Sequence, residues 1–165
     1  MTTSEPQGLG IRTSIDRVER LDSADMHDLC DATDMAILDG GGFGWLDTPP
    51  RETLEAFWRG VSAVPERELF VVRLGGTICG SGQLILPSRN DEAQRHASQL
   101  KSAFIAPWAR GHGLARDLTL ALEARARALK FTILNLDVRA TQDAAIRMYD
   151  SLGYIRWGTH PSYAF

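Results

Sequence analysis

A single α/β domain built on a mixed sheet is what the sequence predicts, and three observations carry that expectation. Leu69 to Leu74 and Thr77 to Leu86 are β-rich runs joined by Gly75-Gly76. A two-residue glycine link closes a hairpin, so this pair is antiparallel. Ser98 to Ala106 is a further β-rich stretch, followed by an amphipathic run from Gly113 to Lys130 and a β-rich run from Thr132 to Arg139. A strand, a helical crossover and a strand permit parallel pairing. Finally, 165 residues with 44% hydrophobic content suffice for one core without disulfides or metal.

Taken in order, Met1 to Gly10 is rich in Thr, Ser, Pro and Gly and reads as a disordered tail ahead of one domain over residues 11–165. Arg12 to Arg20, where Ile15 and Val18 alternate imperfectly, is a first strand. Ser23 to Leu38 puts Met26, Leu29, Cys30, Thr33 and Ile37 near one helical face and stops at Gly40-Gly41-Gly42. Pro49-Pro50 opens a second helix whose stripe is Leu54, Phe57, Trp58 and Val61. Pro87 to Arg95 is a polar loop. In the long amphipathic run, Ala115, Leu118, Ala121, Leu122, Ala128 and Leu129 form the buried stripe. Arg125 falls within it, its stem expected to pack and its head to snorkel past the helix end. Gln142 to Leu152 is a last helix closed by Gly153, and Tyr154 to Thr159 a sixth strand.

Composition narrows the function. A net charge of −3 gives no basic footprint for nucleic acid. Of the 18 basic residues only Lys101 and Lys130 are lysines, an arginine excess that is a coding bias as readily as a binding surface. Cys30 and Cys79 have no framework spacing and read as reduced thiols of a cytoplasmic protein. No apolar run is long enough for a membrane span and no leader pattern opens the chain. His27, His96 and His160 lack ligand spacing, so no metal is expected.

The most informative stretch is Arg110-Gly111-His112-Gly113-Leu114-Ala115, where a strand gives way to the long helix. A helix start carries unpaired N–H groups and partial positive charge, and glycine lets a diphosphate approach the backbone without meeting a Cβ. The spacing Arg-x-x-Gly-x-Ala is neither a dinucleotide fingerprint nor a P-loop. By itself the stretch is equally an ordinary strand-to-helix turn. A second block, Gln142-Asp143-Ala144-Ala145-Ile146-Arg147-Met148-Tyr149-Asp150-Ser151-Leu152-Gly153-Tyr154, follows on the next helix. Together and in this order the two blocks resemble the Gcn5-related N-acetyltransferase (GNAT) superfamily. In that family an Arg/Gln-x-x-Gly-x-Gly/Ala loop is followed by Asn-x-x-Ala-Ile-x-x-Tyr-x-x-x-Gly-Phe/Tyr. Gln142 stands where the family usually has Asn, and the sequence stops at Phe165, before a closing hairpin strand.

The resemblance implies a mostly antiparallel mixed sheet of six strands, its usual final strand absent, with helices on both faces. It implies acetyl-CoA as cosubstrate and an N-acetyltransferase in which an amine attacks the thioester directly. The Arg110–Ala115 loop would bind the diphosphate, with Gln142 and Ala145 contributing from the following helix. The backbone of Phe104, Ile105 and Ala106 would pair with the pantetheine arm like an added strand and polarise the acetyl carbonyl. Tyr149 matches the tyrosine often assigned as the acid that protonates the thiolate; the alternative is a core aromatic. The amine must lose its proton, since a primary amine of pKa about 10 is charged at neutral pH. Relatives often carry a glutamate where this chain has Gln99, which cannot accept a proton. Asp137, Glu68, Asp47 or a water chain remain as alternatives, and His112 reads as a phosphate contact or a solvent-facing residue.

For the acceptor, Asp39-Gly40-Gly41-Gly42-Phe43-Gly44-Trp45 and Gly158-Thr159-His160-Pro161-Ser162-Tyr163 resemble segments of a bacterial subgroup of the tabtoxin-resistance type, which acts on small amino-acid-like or antibiotic amines. Phe43, Trp45, Gln99 and Tyr163 are the candidate substrate contacts, with the glycine-rich segment as a closing loop. The alternative is a helix connection whose aromatics plug the core. The expected partner is a small polar amine, with no nucleic acid or membrane. Acetylation of a protein N-terminus or lysine, and acyl-CoA binding without turnover, are the other functions to weigh. An unpaired Tyr154–Thr159 edge would favour a homodimer.

Overall fold

The computed structural model describes residues 10–41 and 43–164; all of the expected N-terminal tail except Gly10, together with Gly42 and Phe165, lies outside the described residues. Five strands form one sheet in the order β1 (Thr13–Val18), β2 (Arg67–Leu74), β3 (Thr77–Ile85), β4 (Ala97–Ile105), β5 (Ile133–Leu136). The first three pairings are antiparallel and β4 to β5 is parallel. Helices α1 (Ser23–Leu38) and α2 (Arg51–Ala63) separate β1 from β2. Helix α3 (Leu114–Ala128) makes the crossover to β5, and α4 (Asp143–Ser151) follows.

Side-chain alternation in β2 shows how the layers form. Leu69 and Val71 pack with Leu29 of α1 and with Leu54 and Trp58 of α2, whereas Phe70, Val72 and Leu74 pack with Leu118 and Leu122 of α3. Period two on a strand sends alternate residues to opposite faces, so β2 and β3 are buried on both sides. Both cysteines are free and buried, as expected. Helix α1 begins with the Asp22 carboxylate accepting from the Asp25 amide at 2.8 Å. It ends in a Schellman turn, with Gly40 N–H on Ile37 O (3.0 Å) and Gly41 N–H on Ala36 O (2.6 Å). A Cβ at Gly41 would meet Ala36 O at 2.5 Å, so glycine is required there.

Two arginine pairs hold the sheet to its helices. Arg73 of β2 grips Asp25 of α1 with bonds of 2.7 and 2.8 Å. Arg125 does not snorkel past its helix end: its Nε and Nη2 both donate to Glu68 of β2 at 2.7 Å. A strand carboxylate within reach made a bidentate pair the better place for a planar guanidinium.

The sixth strand is absent. Among the described residues no strand follows β5, and Tyr154–Thr159 is irregular. Tyr154 itself is anchored by its ring on Tyr149, 5.3 Å between centroids, but Ile155 and Trp157 are 86% and 84% exposed. A strand needs a hydrogen-bonding neighbour, and β5, four residues long, does not pair with this segment.

Candidate active site

The site is opened by one irregularity in β4. Up to Leu100 this strand is paired on both edges, with β3 and with β5, whose register runs from Ala97 opposite Ile133 to Leu100 opposite Leu136. The β3 register then slips between Ser81 and Gln83, and Ser102 takes φ of +51°, a bulge that bends the strand. Beyond it β4 stays with β3 and pairing with β5 stops. The Ala106 N–H donates to Cys79 O at 2.7 Å. Because backbone groups alternate along a strand, the N–H and C=O of Ile105 turn to the opposite, unpaired edge. Phe104, Ile105 and Ala106 thus border a cleft between diverging strands, the arrangement that would pair an extended amide-containing chain.

The β4 strand runs through one turn of 3₁₀ helix (Pro107–Ala109) into the loop that starts α3. Gly111 and Gly113 have φ of +83° and +71°, and a Cβ at either would meet nothing within 4 Å. The glycines therefore serve backbone conformation and leave the ground above the loop clear. Gly113 caps α3 with no side chain across the free N–H groups of the first turn, where Leu114 and Ala115 lie: the cradle an anion needs. His112 bonds inward, its Nδ1 donating toward Ala109 O (3.1 Å) and Arg110 O (3.2 Å), so this nitrogen shapes the loop. Arg110 is half-exposed and holds Asp39 at 2.5 Å. Gln142 sits at the start of α4 and donates to Gly40 O at 3.3 Å, and Arg139 donates to Phe43 O at 3.2 Å. The turn after α1 is thereby tied to the mouth of the cleft from three directions.

The acetyltransferase (GNAT) family model matches residues 27–154. An uncharacterized N-acetyltransferase from the hisH-hisA intergenic region of Azospirillum brasilense is 58% identical over 129 residues, covering 78% of this chain and 77% of that protein. The chain belongs to the GNAT family. A putative acetyltransferase from Salmonella typhimurium, solved with its cofactor acetyl-CoA, has the same fold at TM-score 0.73 and 19% identity, over 93% of this chain and 86% of that one. An N-acetyltransferase from Staphylococcus aureus superimposes at TM-score 0.73 and 18% identity, over 89% and 86% of the two chains.

As a GNAT protein the chain is an acyltransferase, and its geometry fits acetyl-CoA: a clear anion cradle adjoins an unpaired strand edge. Tyr149 is buried on α4, and burial raises its hydroxyl above the ordinary tyrosine value while the nearby Thr119 side chain opposes the shift. A hydroxyl kept protonated is a donor at neutral pH. Ala145 lies one turn before Tyr149 on the same helix. Tyr154 is raised further by burial and the neighbouring Glu123 carboxylate.

The base alternatives separate clearly. Glu68 bonds Arg125, lies near Arg17 and is held below the usual carboxylate range by that pairing, so it is a structural group. Asp47 is exposed in the loop before α2. Asp137 follows β5 immediately, one residue past Leu136, the partner of Leu100, and so lies on the β5 bank of the cleft. Gln99 is half-buried, one row before the last doubly paired row at Leu100.

The proposed acceptor contacts divide. Phe43 is 4% exposed and packs on Phe104 (5.1 Å), Trp58 and Phe57, so its ring plugs the core. Trp45 is half-buried beside Phe57 at 5.2 Å and walls the same face. Tyr163 is 71% exposed and meets His160 edge-on at 5.0 Å between centroids; the structure does not bring it into that aromatic group. Ser102, Asp39 and Arg139 were missed. Nothing in Lys101-Ser102-Ala103 marks a bulge, and contacts between residues 71 and 96 positions apart leave no local pattern. No group of three or more metal-ligating side chains occurs among the described residues, and no described helix is long and apolar enough to cross a membrane.

Proposed function

We propose that this GNAT protein transfers the acetyl group of acetyl-CoA to the primary amine of a small polar molecule by direct attack. The loss of β4–β5 pairing after Leu100, directly before the Arg110–Ala115 cradle, is the observation that carries the reading. Acetyl-CoA supplies an acetyl thioester. Ile105 offers its free backbone edge to the acyl arm, the cradle receives the diphosphate, Asp137 takes the amine proton, and Tyr149 keeps a proton for the departing sulfur. Gln99, an amide at the position where the family resemblance implies a frequent glutamate, favours a second reading: acyl-CoA binding without turnover. A ribosomal-protein-alanine N-acetyltransferase from Brucella melitensis shares this fold, so a protein amine is the competing acceptor.

Free thiol release with amino acids, polyamines, aminoglycosides and peptides separates these readings. Release with small amines supports the first, release with peptides alone replaces it, and acetyl-CoA binding without release establishes the silent module. Binding itself is read as a rise in melting temperature, since a ligand of the folded state stabilises it by mass action. Gly113→Asp introduces a carboxylate at the cradle and a side chain at positive φ. It is expected to abolish the rise; an equal rise in both proteins would refute the cradle assignment.

A further inference from the structure

Resting on the acetyl-transfer reading, we propose that the acceptor amine also carries a carboxylate, received on the α1/α2 face of the sheet by Gln83 and Lys101. On that face Ser81 stands opposite Phe104, Gln83 opposite Lys101, and Ile85 opposite Gln99. Ser81 and Gln83 are 0% exposed, in the middle of the sheet. Arg67 Nη1 donates to Gln83 Oε1 at 2.9 Å, which fixes the amide orientation and turns Nε2 away as a pure donor. That Nε2 has no acceptor, and the Ser81 hydroxyl has no partner.

Buried polar groups are normally paired, and an exception marks a place where something else completes the pairing. Lys101 is the exposed cross-strand neighbour of Gln83. Among the described residues neither it nor Arg67 has a carboxylate in ion-pair contact. Of the uncommitted groups, the Gln83 Nε2 and the Lys101 ammonium are donors only and the Ser81 hydroxyl can donate; the ammonium is cationic and on a flexible stem that moves aside without breaking an ion pair. Their complement is a planar, acceptor-only anion, which a carboxylate is.

Position selects which molecule carries it. Phe104, next to the free edge of Ile105, lies just across the bulge from Lys101, and Asp137 stands on the opposite bank of the cleft. An acceptor with its amine near Ile105 and Asp137 would have its carboxylate on the Lys101 and Gln83 side of the bulge. Trp45 and Phe57 add an apolar wall on this face.

The test compares L-phenylalanine, L-methionine, L-glutamine and L-lysine, each as free acid and as carboxamide. Thiol release gives kcat and KM, and calorimetry gives binding to protein saturated with CoA. The free acid should be preferred at least tenfold in at least one pair, through KM. Lys101→Met and Gln83→Leu should each bring the KM of that acid toward that of its amide. Lys101 is exposed, so Lys101→Met should melt near the wild type; Gln83→Leu also removes the acceptor of Arg67, so its KM is compared at a temperature at which the variant is shown to be folded. Amides used as well as acids, or an acid-to-amide ratio that neither variant moves, would overturn the carboxylate site and leave acetyl transfer standing. Acid-selective binding without thiol release would support the site and overturn the transfer reading. Failure of every compound to bind or react would also overturn the site.

Discussion

One strand, β4, has two halves with different obligations. Ala97–Leu100 is bonded to β3 on one edge and β5 on the other, and its end of the sheet is cemented by Glu68 with Arg125 and Arg17. Lys101–Ile105 is bonded to β3 alone, and the groups around it are unspent: the Ile105 backbone edge, the Gln83 Nε2, the Lys101 ammonium and the first-turn N–H groups of α3. Stability resides where pairing is complete, and binding where the fold leaves donors without partners. Substitutions should therefore sort by half, those at the cleft changing turnover and those at the paired end changing stability.

The largest expected effect lies at the cleft. Tyr149→Phe keeps the ring packing on Tyr154 and removes the proton donor, so kcat should fall about 10² to 10³-fold, the usual contribution of a positioned acid. The acetyl-CoA-induced melting shift should persist. An unchanged kcat would make Tyr149 a packing residue and assign the thiolate's proton to water.

At the paired end, Glu68→Gln should cost about 2 kcal/mol, the scale of hydrogen bonds to charged groups, and leave kcat and KM near wild type. The pH dependence carries a sign. The folded value of Glu68 is held below its ordinary 4.5, chiefly by the Arg125 hydrogen bond. Its contribution is thus fully present above that ordinary value and is lost as pH falls through the lower folded value. Denaturation midpoints measured from pH 7 to pH 3 should converge for wild type and variant. A constant gap down to pH 3 would show that the ion pair is not its source.

The smallest effect is expected at the far end of α3. Lys130 has φ of +69°, and Phe131 N–H closes on Ala126 O at 3.0 Å, a Schellman turn with a non-glycine residue in the left-handed position. Lys130→Gly should raise stability by about 0.5–1 kcal/mol without altering acetyl-CoA affinity. A loss of affinity would mean that the two halves are coupled.

Much of this was legible in the sequence because it is local. The hairpin at Gly75-Gly76, the stripe of α1, the Gly153 cap and the glycines before α3 each depend on residues within a few positions of one another. The cradle and the family blocks are of the same kind. The bulge is different: Ser102 has no residue-type signature, yet it decides where the cleft begins. Glu68 read as a candidate base because its partner lies 57 residues away. Phe43 read equally as lid or core plug, since an aromatic after a glycine turn suits either until the packing of Trp58 and Phe104 is known. The expected last strand failed for a related reason, because β-rich composition at Tyr154–Thr159 says nothing about whether a neighbour exists to pair with it.

In the proposed reaction the free edge of β4 receives acetyl-CoA. Residue-resolved amide hydrogen exchange, with and without saturating acetyl-CoA, tests it most directly. The Ile105 amide, which faces the cleft, should slow by at least tenfold on addition of acetyl-CoA, while the Ala106 amide, already bonded to Cys79 O, changes little. An Ile105 amide that exchanges at the same rate in both states, under conditions where acetyl-CoA demonstrably binds, would contradict the account.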